Sequence, residues 1–101
     1  TLMKRPTPMK TRLAAKDIGE SVTTWRKLRG LTMQQLADKA NASRATISRL
    51  EKGDPSVSFE TVLNVATMLG IMDRVIDAFD PFETDYGRLR AEEELPQRVR
   101  R

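Results

Sequence analysis

The sequence predicts an all-α fold, five short helices set between a basic N-terminal arm and a charged C-terminal tail. Three observations carry this reading. Apolar residues recur at spacings of three and four through the middle of the chain, and no stretch alternates with the period of two that a half-buried strand needs. Capping residues and glycines punctuate the apolar runs at short intervals, as at the ends of successive helices. A chain of 101 residues has room for one small core.

Residues 1–16 hold Lys4, Arg5, Lys10, Arg12 and Lys16 without an acid, and Pro6 and Pro8 discourage regular structure there, so they read as a basic arm. Thr1 and Leu2 precede Met3, which is taken as the native start. From Asp17 a first helix is predicted, with Ile18, Val22, Trp25 and Leu28 on its inward face and Gly30 at its end. Thr32 and Gln35 form a capping box at the head of a second helix, whose inward residues are Met33, Leu36, Ala37 and Ala40. Asn41, which tolerates the left-handed conformation, stops it. Ser43 caps a third helix reaching about Lys52, with Ile47 and Leu50 inward, before Gly53, Asp54 and Pro55 force a stop. Ser58 opens a fourth, with Phe59, Val62, Leu63, Ala66 and Leu69 inward and Gly70 at its end. The fifth runs from about Met72 to Phe79, ahead of Pro81. The domain is thus expected over 17–79, and the tail over 80–101 is either helical between Tyr86 and Leu95 or without structure of its own.

Composition narrows the function. Cysteine and histidine are both absent, which excludes disulfides, thiol catalysis and zinc fingers and removes the commonest general base and metal ligand. No phosphate-cradling glycine loop occurs, and Glu92, Glu93 and Glu94, the densest carboxylate run, diverge by about 100° per residue on a helix. A binding protein without cofactor or metal is expected, not an enzyme. No apolar run approaches the roughly 20 residues of a membrane span, so no membrane partner and a cytoplasmic location are expected, on the nucleoid when DNA is bound. The net charge is +4, an excess that matters only where it is clustered.

The third helix is where it clusters. With Ile47 and Leu50 inward, Arg44, Ala45, Ser48, Arg49 and Lys52 fall on the opposite face. Small side chains let a helix backbone approach a surface, and arginine reaches past them with a planar donor fork that suits guanine O6 and N7, a contact worth about 1–3 kcal/mol of discrimination. Charged residues opposite a core stripe are also what an ordinary solvated helix shows, so the wheel alone leaves both readings open. A capped helix, a tight turn and a second helix with this face are nevertheless the parts of a helix-turn-helix unit.

The run Trp25-Arg26-Lys27-Leu28-Arg29-Gly30-Leu31-Thr32-Met33-Gln34-Gln35-Leu36-Ala37, continued by Ser43-Arg44-Ala45-Thr46-Ile47-Ser48-Arg49-Leu50-Glu51-Lys52-Gly53, resembles the phage-repressor (Cro/cI, XRE) helix-turn-helix family. Val62-Leu63-Asn64-Val65-Ala66-Thr67-Met68-Leu69-Gly70 is similar to its fourth helix. The resemblance implies that Arg44, Ala45, Ser48 and Arg49 read bases of a double-stranded DNA operator, with Thr32, Ser43, Thr46 and Lys52 on phosphates; capping alone remains the other role for Thr32 and Ser43. It implies a structural ion pair between Arg26 and Glu51, and a homodimer reading two half-sites about 34 Å apart. Ile71, Met72, Val75, Ile76 and Phe79 are the candidate dimer face, unless they close the monomer core. Met33 replaces a common glutamine, Asp54 stands where a basic residue is frequent and would repel phosphate, Asn41 replaces the turn glycine, and Ala42 thins the packing beneath the turn.

The tail, Asp80-Pro81-Phe82-Glu83-Thr84-Asp85-Tyr86-Gly87-Arg88-Leu89-Arg90 and Leu95-Pro96-Gln97-Arg98-Val99-Arg100-Arg101, resembles that of antitoxin-type regulators paired with HipA-like kinase toxins. That implies an autoregulating repressor with a kinase partner, anchored by Phe82, Tyr86, Leu89 and Leu95. The alternatives are a stand-alone repressor and an interaction module that has lost DNA binding. The basic arm is a candidate for phosphate or minor-groove contact, or is a solvated start.

Overall fold

The computed structural model describes residues 5–94, so Lys4 in the arm and Leu95 in the tail lie outside it. The chain divides into two compact units, one ending at Gly70 and the other beginning at Ile71. In the first are α1 (Met9–Leu28), α2 (Met33–Lys39), α3 (Arg44–Glu51) and α4 (Phe59–Leu69); in the second are α5 (Met72–Phe79), a 3₁₀ turn (Pro81–Glu83) and α6 (Asp85–Glu94). All of this is helical, with no strand among the described residues. No helix among them is long and apolar enough to cross a membrane.

The basic arm is shorter than expected, because α1 begins at Met9 and takes in Lys10, Arg12 and Lys16. Pro8 sits at the N-cap with extended backbone and gives its carbonyl to the Arg12 amide, 3.1 Å away, so it marks the start of the helix without interrupting it. The residues that follow, Met-Lys-Thr-Arg-Leu-Ala-Ala-Lys, are mostly strong helix formers. The last of the added residues makes a close contact: a Cβ on Gly53, whose φ is +87°, would lie 2.6 Å from the Lys16 Cα. At Lys16 α1 therefore passes close to the turn that ends α3, while residues 9–14 are exposed.

The inward face of α1 also differs from expectation. Gly19, Val22 and Arg26 are buried, Trp25 is half-buried, and Ile18 and Leu28 are 54% and 74% exposed. Helical periodicity counts apolar side chains, whereas here a glycine and a paired arginine occupy the contact. A Cβ on Gly19 would stand 2.5 Å from the Leu50 carbonyl oxygen, so only glycine lets α1 lie this close to the backbone of α3.

Around that contact the core consists of Val22, Leu36, Ala37, Ala40, Ile47, Leu50, Val57, Val65, Ala66 and Leu69. Full burial of Leu36, Ile47 and Leu69 contributes about 1.5–3 kcal/mol each from the area withdrawn from water. Phe59, expected inward, is 67% exposed, since it lies on the first residue of α4, at the end of the stripe that Val62, Ala66 and Leu69 continue. Ser58 caps α4 by accepting from the Thr61 amide at 3.1 Å, and Gly70 closes it at φ +78°. Between α2 and α3 the chain turns at Asn41, φ +55°, and the Asn64 side chain donates to the Ala40 carbonyl at 3.2 Å, tying α4 to that turn.

In the second unit no residue of α5 or α6 is fully buried. The tail is helical over Asp85–Glu94, the ordered one of the two states left open for it. Gly87 packs directly on the Pro81 carbonyl, Thr84 Oγ1 donates to that same carbonyl at 2.8 Å and accepts from the Gly87 amide at 2.9 Å, and Arg88 reaches back to the Phe82 carbonyl.

Candidate nucleic-acid interface

A helix can read a surface only if its own orientation is fixed, and α3 is fixed at both ends. At its N-terminus the Ser43 hydroxyl accepts from the Thr46 amide at 3.1 Å, and the Ser43 and Thr46 hydroxyls lie 2.9 Å apart. Ser43 and Thr46 thus face each other across the first turn. The orphan amides of that turn and the dipole they sum to are suited to an anion such as phosphate.

At the other end Glu51 is held by α1. Arg26 Nε and Nη2 donate to its two carboxylate oxygens at 2.7 and 3.1 Å, Thr23 Oγ1 adds a third bond at 2.9 Å, and Arg26 Nη1 donates to the Leu31 carbonyl at 3.0 Å. The two side chains are 11% and 6% exposed, and a bidentate pair so enclosed leaves little freedom. Hydrogen bonding to Glu51 holds the Arg26 guanidinium more firmly protonated than usual, against the opposing pull of burial. Removing one partner would strand the other's charge, at a cost of about 3–5 kcal/mol.

α2 is set by the capping box: Thr32 Oγ1 accepts from the Gln35 amide at 3.0 Å, and Gln35 Oε1 accepts from the Thr32 amide at 2.8 Å. Thr32 stays exposed at the head of the helix, while Met33 is half-buried.

Between these fixtures α3 exposes Arg44, Ala45 and Arg49, with Ser48 half-buried among them and Lys52 exposed at the C-cap. Among the described residues, Arg49 is the one of this group whose side chain is already engaged. Its Nε donates to Asp54 Oδ2 at 2.8 Å and its Nη2 to Ser56 Oγ at 3.0 Å. Asp54 Oδ1 in turn accepts from the Ser56 amide at 2.8 Å and the Ser56 hydroxyl at 2.7 Å. Hydrogen bonds from Arg49 first, then from Ser56, hold the Asp54 carboxyl well below the usual carboxylate range. The acid expected to repel phosphate is thus hydrogen-bonded by an arginine and a serine of its own chain.

Sequence reasoning passed over Gly19, Thr23 and Ser56. Asp54-Pro55-Ser56 is an Asx-turn pattern, in which an Asp side chain bonds the backbone two residues on, and that signal was available. Nothing local marks Thr23 as a partner of Glu51. Among the described residues no group of His, Cys, Asp or Glu is placed to hold a metal ion.

Comparison with known proteins agrees with this geometry. Residues 22–71 match the family model described as Helix-turn-helix, which takes in the last two turns of α1 and all of α2, α3 and α4. The competence pilus inhibition repressor of Acinetobacter baylyi is 48% identical over 42 residues, a stretch that makes up 42% of this chain and 38% of that relative. The match thus spans well under two thirds of the relative's length. The chain carries, over residues 22–71, a helix-turn-helix domain of the phage-repressor (XRE) kind, the DNA-binding module of a family of transcriptional regulators.

Proposed function

We propose that the protein is a homodimeric transcriptional repressor that places α3 in the major groove of a palindromic operator, where Arg44, Ala45, Ser48 and Arg49 read base edges. Thr32, Ser43, Thr46 and Lys52 lie along the phosphates. The observation that carries this reading is the face of α3, with arginines at both ends of a small-residue surface on a helix anchored by the Arg26–Glu51 pair. Repression is the role named for the Acinetobacter relative and extends here by similarity. One recognition helix reaches only a few base pairs, and two copies reading half-sites a helical turn apart supply the rest.

The dimer would use α5 and the Ile71 before it, where Ile76 and Phe79 are exposed and Ile71, Met72 and Val75 are half-buried. Exposed Phe82, Tyr86 and Leu89 favour a second reading for the tail, that it docks a protein partner, a HipA-like kinase toxin in the antitoxin version of the proposal. The repressor would then act in the cytoplasm, controlling its own operon.

Selection of the full chain against a random double-stranded DNA library tests the main reading. Enrichment of a palindrome whose half-sites are centred about 10 base pairs apart supports it. Recovery of single half-sites would remove the dimer, and a pool with no common sequence would remove base reading.

A further inference from the structure

An arginine reads guanine best when two of its N–H groups are presented at once in a fixed plane. A free arginine on a helix samples many rotamers and loses that freedom when it binds. Arg49 differs from Arg44 here. The edge formed by its Nε and Nη2 is bonded to Asp54 Oδ2 and Ser56 Oγ, while Asp54 is itself pinned by the Ser56 amide and hydroxyl. These four bonds close a ring between α3 and the loop that follows it. They leave unused the end-on edge, made by Nη1 and the outer hydrogen of Nη2, which matches the spacing of guanine O6 and N7.

We infer that Asp54 and Ser56 are positioning residues for recognition, a buttress that orders Arg49 before DNA arrives and aims its end-on edge at a guanine. The inference rests on the DNA-reading assignment of α3. It also gives a reason for an acid on a face turned toward phosphates. Asp54 weakens binding to any DNA by its charge, and returns that loss only at the base pair where the ordered Arg49 finds guanine, so its net effect is specificity.

The test uses the full chain and the duplex enriched by selection, with a set of duplexes each carrying one altered base pair. Arg49→Ala first identifies the guanine, as the position where wild-type discrimination is lost. At that position Asp54→Ala is expected to reduce discrimination about tenfold, and Asp54→Asn and Ser56→Ala to reduce it less. Scrambled DNA should meanwhile be bound more tightly by both Asp54 variants, which lack the acid. That opposite movement is one a merely structural role would not produce. Should the Asp54 variants bind all duplexes more tightly with discrimination intact, Asp54 is only a charge brake, and the buttress is overturned while base reading stands. If Arg49→Ala changes discrimination nowhere, Arg49 reads no base, and the buttress falls with that assignment.

Discussion

The two units of the chain differ in how far they bury their apolar residues. Up to Gly70 the larger apolar side chains of α2, α3 and α4 mostly meet one another, and Leu36, Ile47 and Leu69 are out of contact with water. From Ile71 onward no residue of α5 or α6 is buried, Phe79 is 79% exposed, and the order comes instead from local hydrogen bonds around Pro81, Thr84 and Arg88. The first unit has a buried core and so holds α3 rigidly, although Met9, Leu13, Ile18, Leu28, Phe59 and Met68 stay exposed on it. The second leaves apolar surface unsatisfied, as an assembly surface does.

This contrast can be broken at its strongest point by Glu51→Ala, which strands the buried Arg26 charge and is expected to cost about 3–5 kcal/mol in urea unfolding. Arg26→Met with Glu51→Leu together should cost less than either single change. Next in size is Leu36→Ala, at about 2–5 kcal/mol by the same measurement. Gly19→Ala should follow at about 1–3 kcal/mol, because the added carbon meets the Leu50 carbonyl and has nowhere to go. In the second unit, Phe79→Ser is predicted to leave first-unit unfolding nearly unchanged while weakening self-association at least about tenfold by sedimentation equilibrium. Equal loss of folding stability would show that α5 belongs to the monomer core.

The smallest effect concerns Asp54. Its carboxyl is held below the ordinary range in the folded protein, so its contribution to stability is complete above the unfolded-state value and is lost as the pH falls below it. Acid unfolding of wild type and Asp54→Asn should differ slightly at neutral pH and converge in strong acid.

What sequence reasoning could read was what is encoded locally. The caps at Thr32, Ser43 and Ser58 and the closing Gly70 lie within a few residues of the groups they satisfy, so the boundaries of α2, α3 and α4 follow from them. Apolar spacing misread the inward face of α1, because its closest contact is made by Gly19, which has no side chain to count, and because Arg26 is buried with an acid 25 positions away, a pairing that only the family resemblance implied. The start of α1 was misplaced for a related reason, since proline just before a first turn is harmless where proline within a helix is not. Helical spacing placed Arg44 and Arg49 on the exposed face of α3, yet could not say that Arg49 closes a ring with Asp54 and Ser56. That bond spans the end of a helix, where neither helical nor strand spacing applies.

Central to this account is the claim that the face of α3 reads bases. Fluorescence anisotropy of the full chain with the DNA upstream of its own gene and with a scrambled duplex, each at several salt concentrations, for wild type and Arg44→Ala, tests it most directly. The account predicts wild-type preference for the upstream DNA, a steep fall of affinity with salt on both duplexes, and loss of most of that preference, with much of the salt slope kept, in the variant. Equal wild-type affinity for the two duplexes, unchanged by Arg44→Ala, would contradict it.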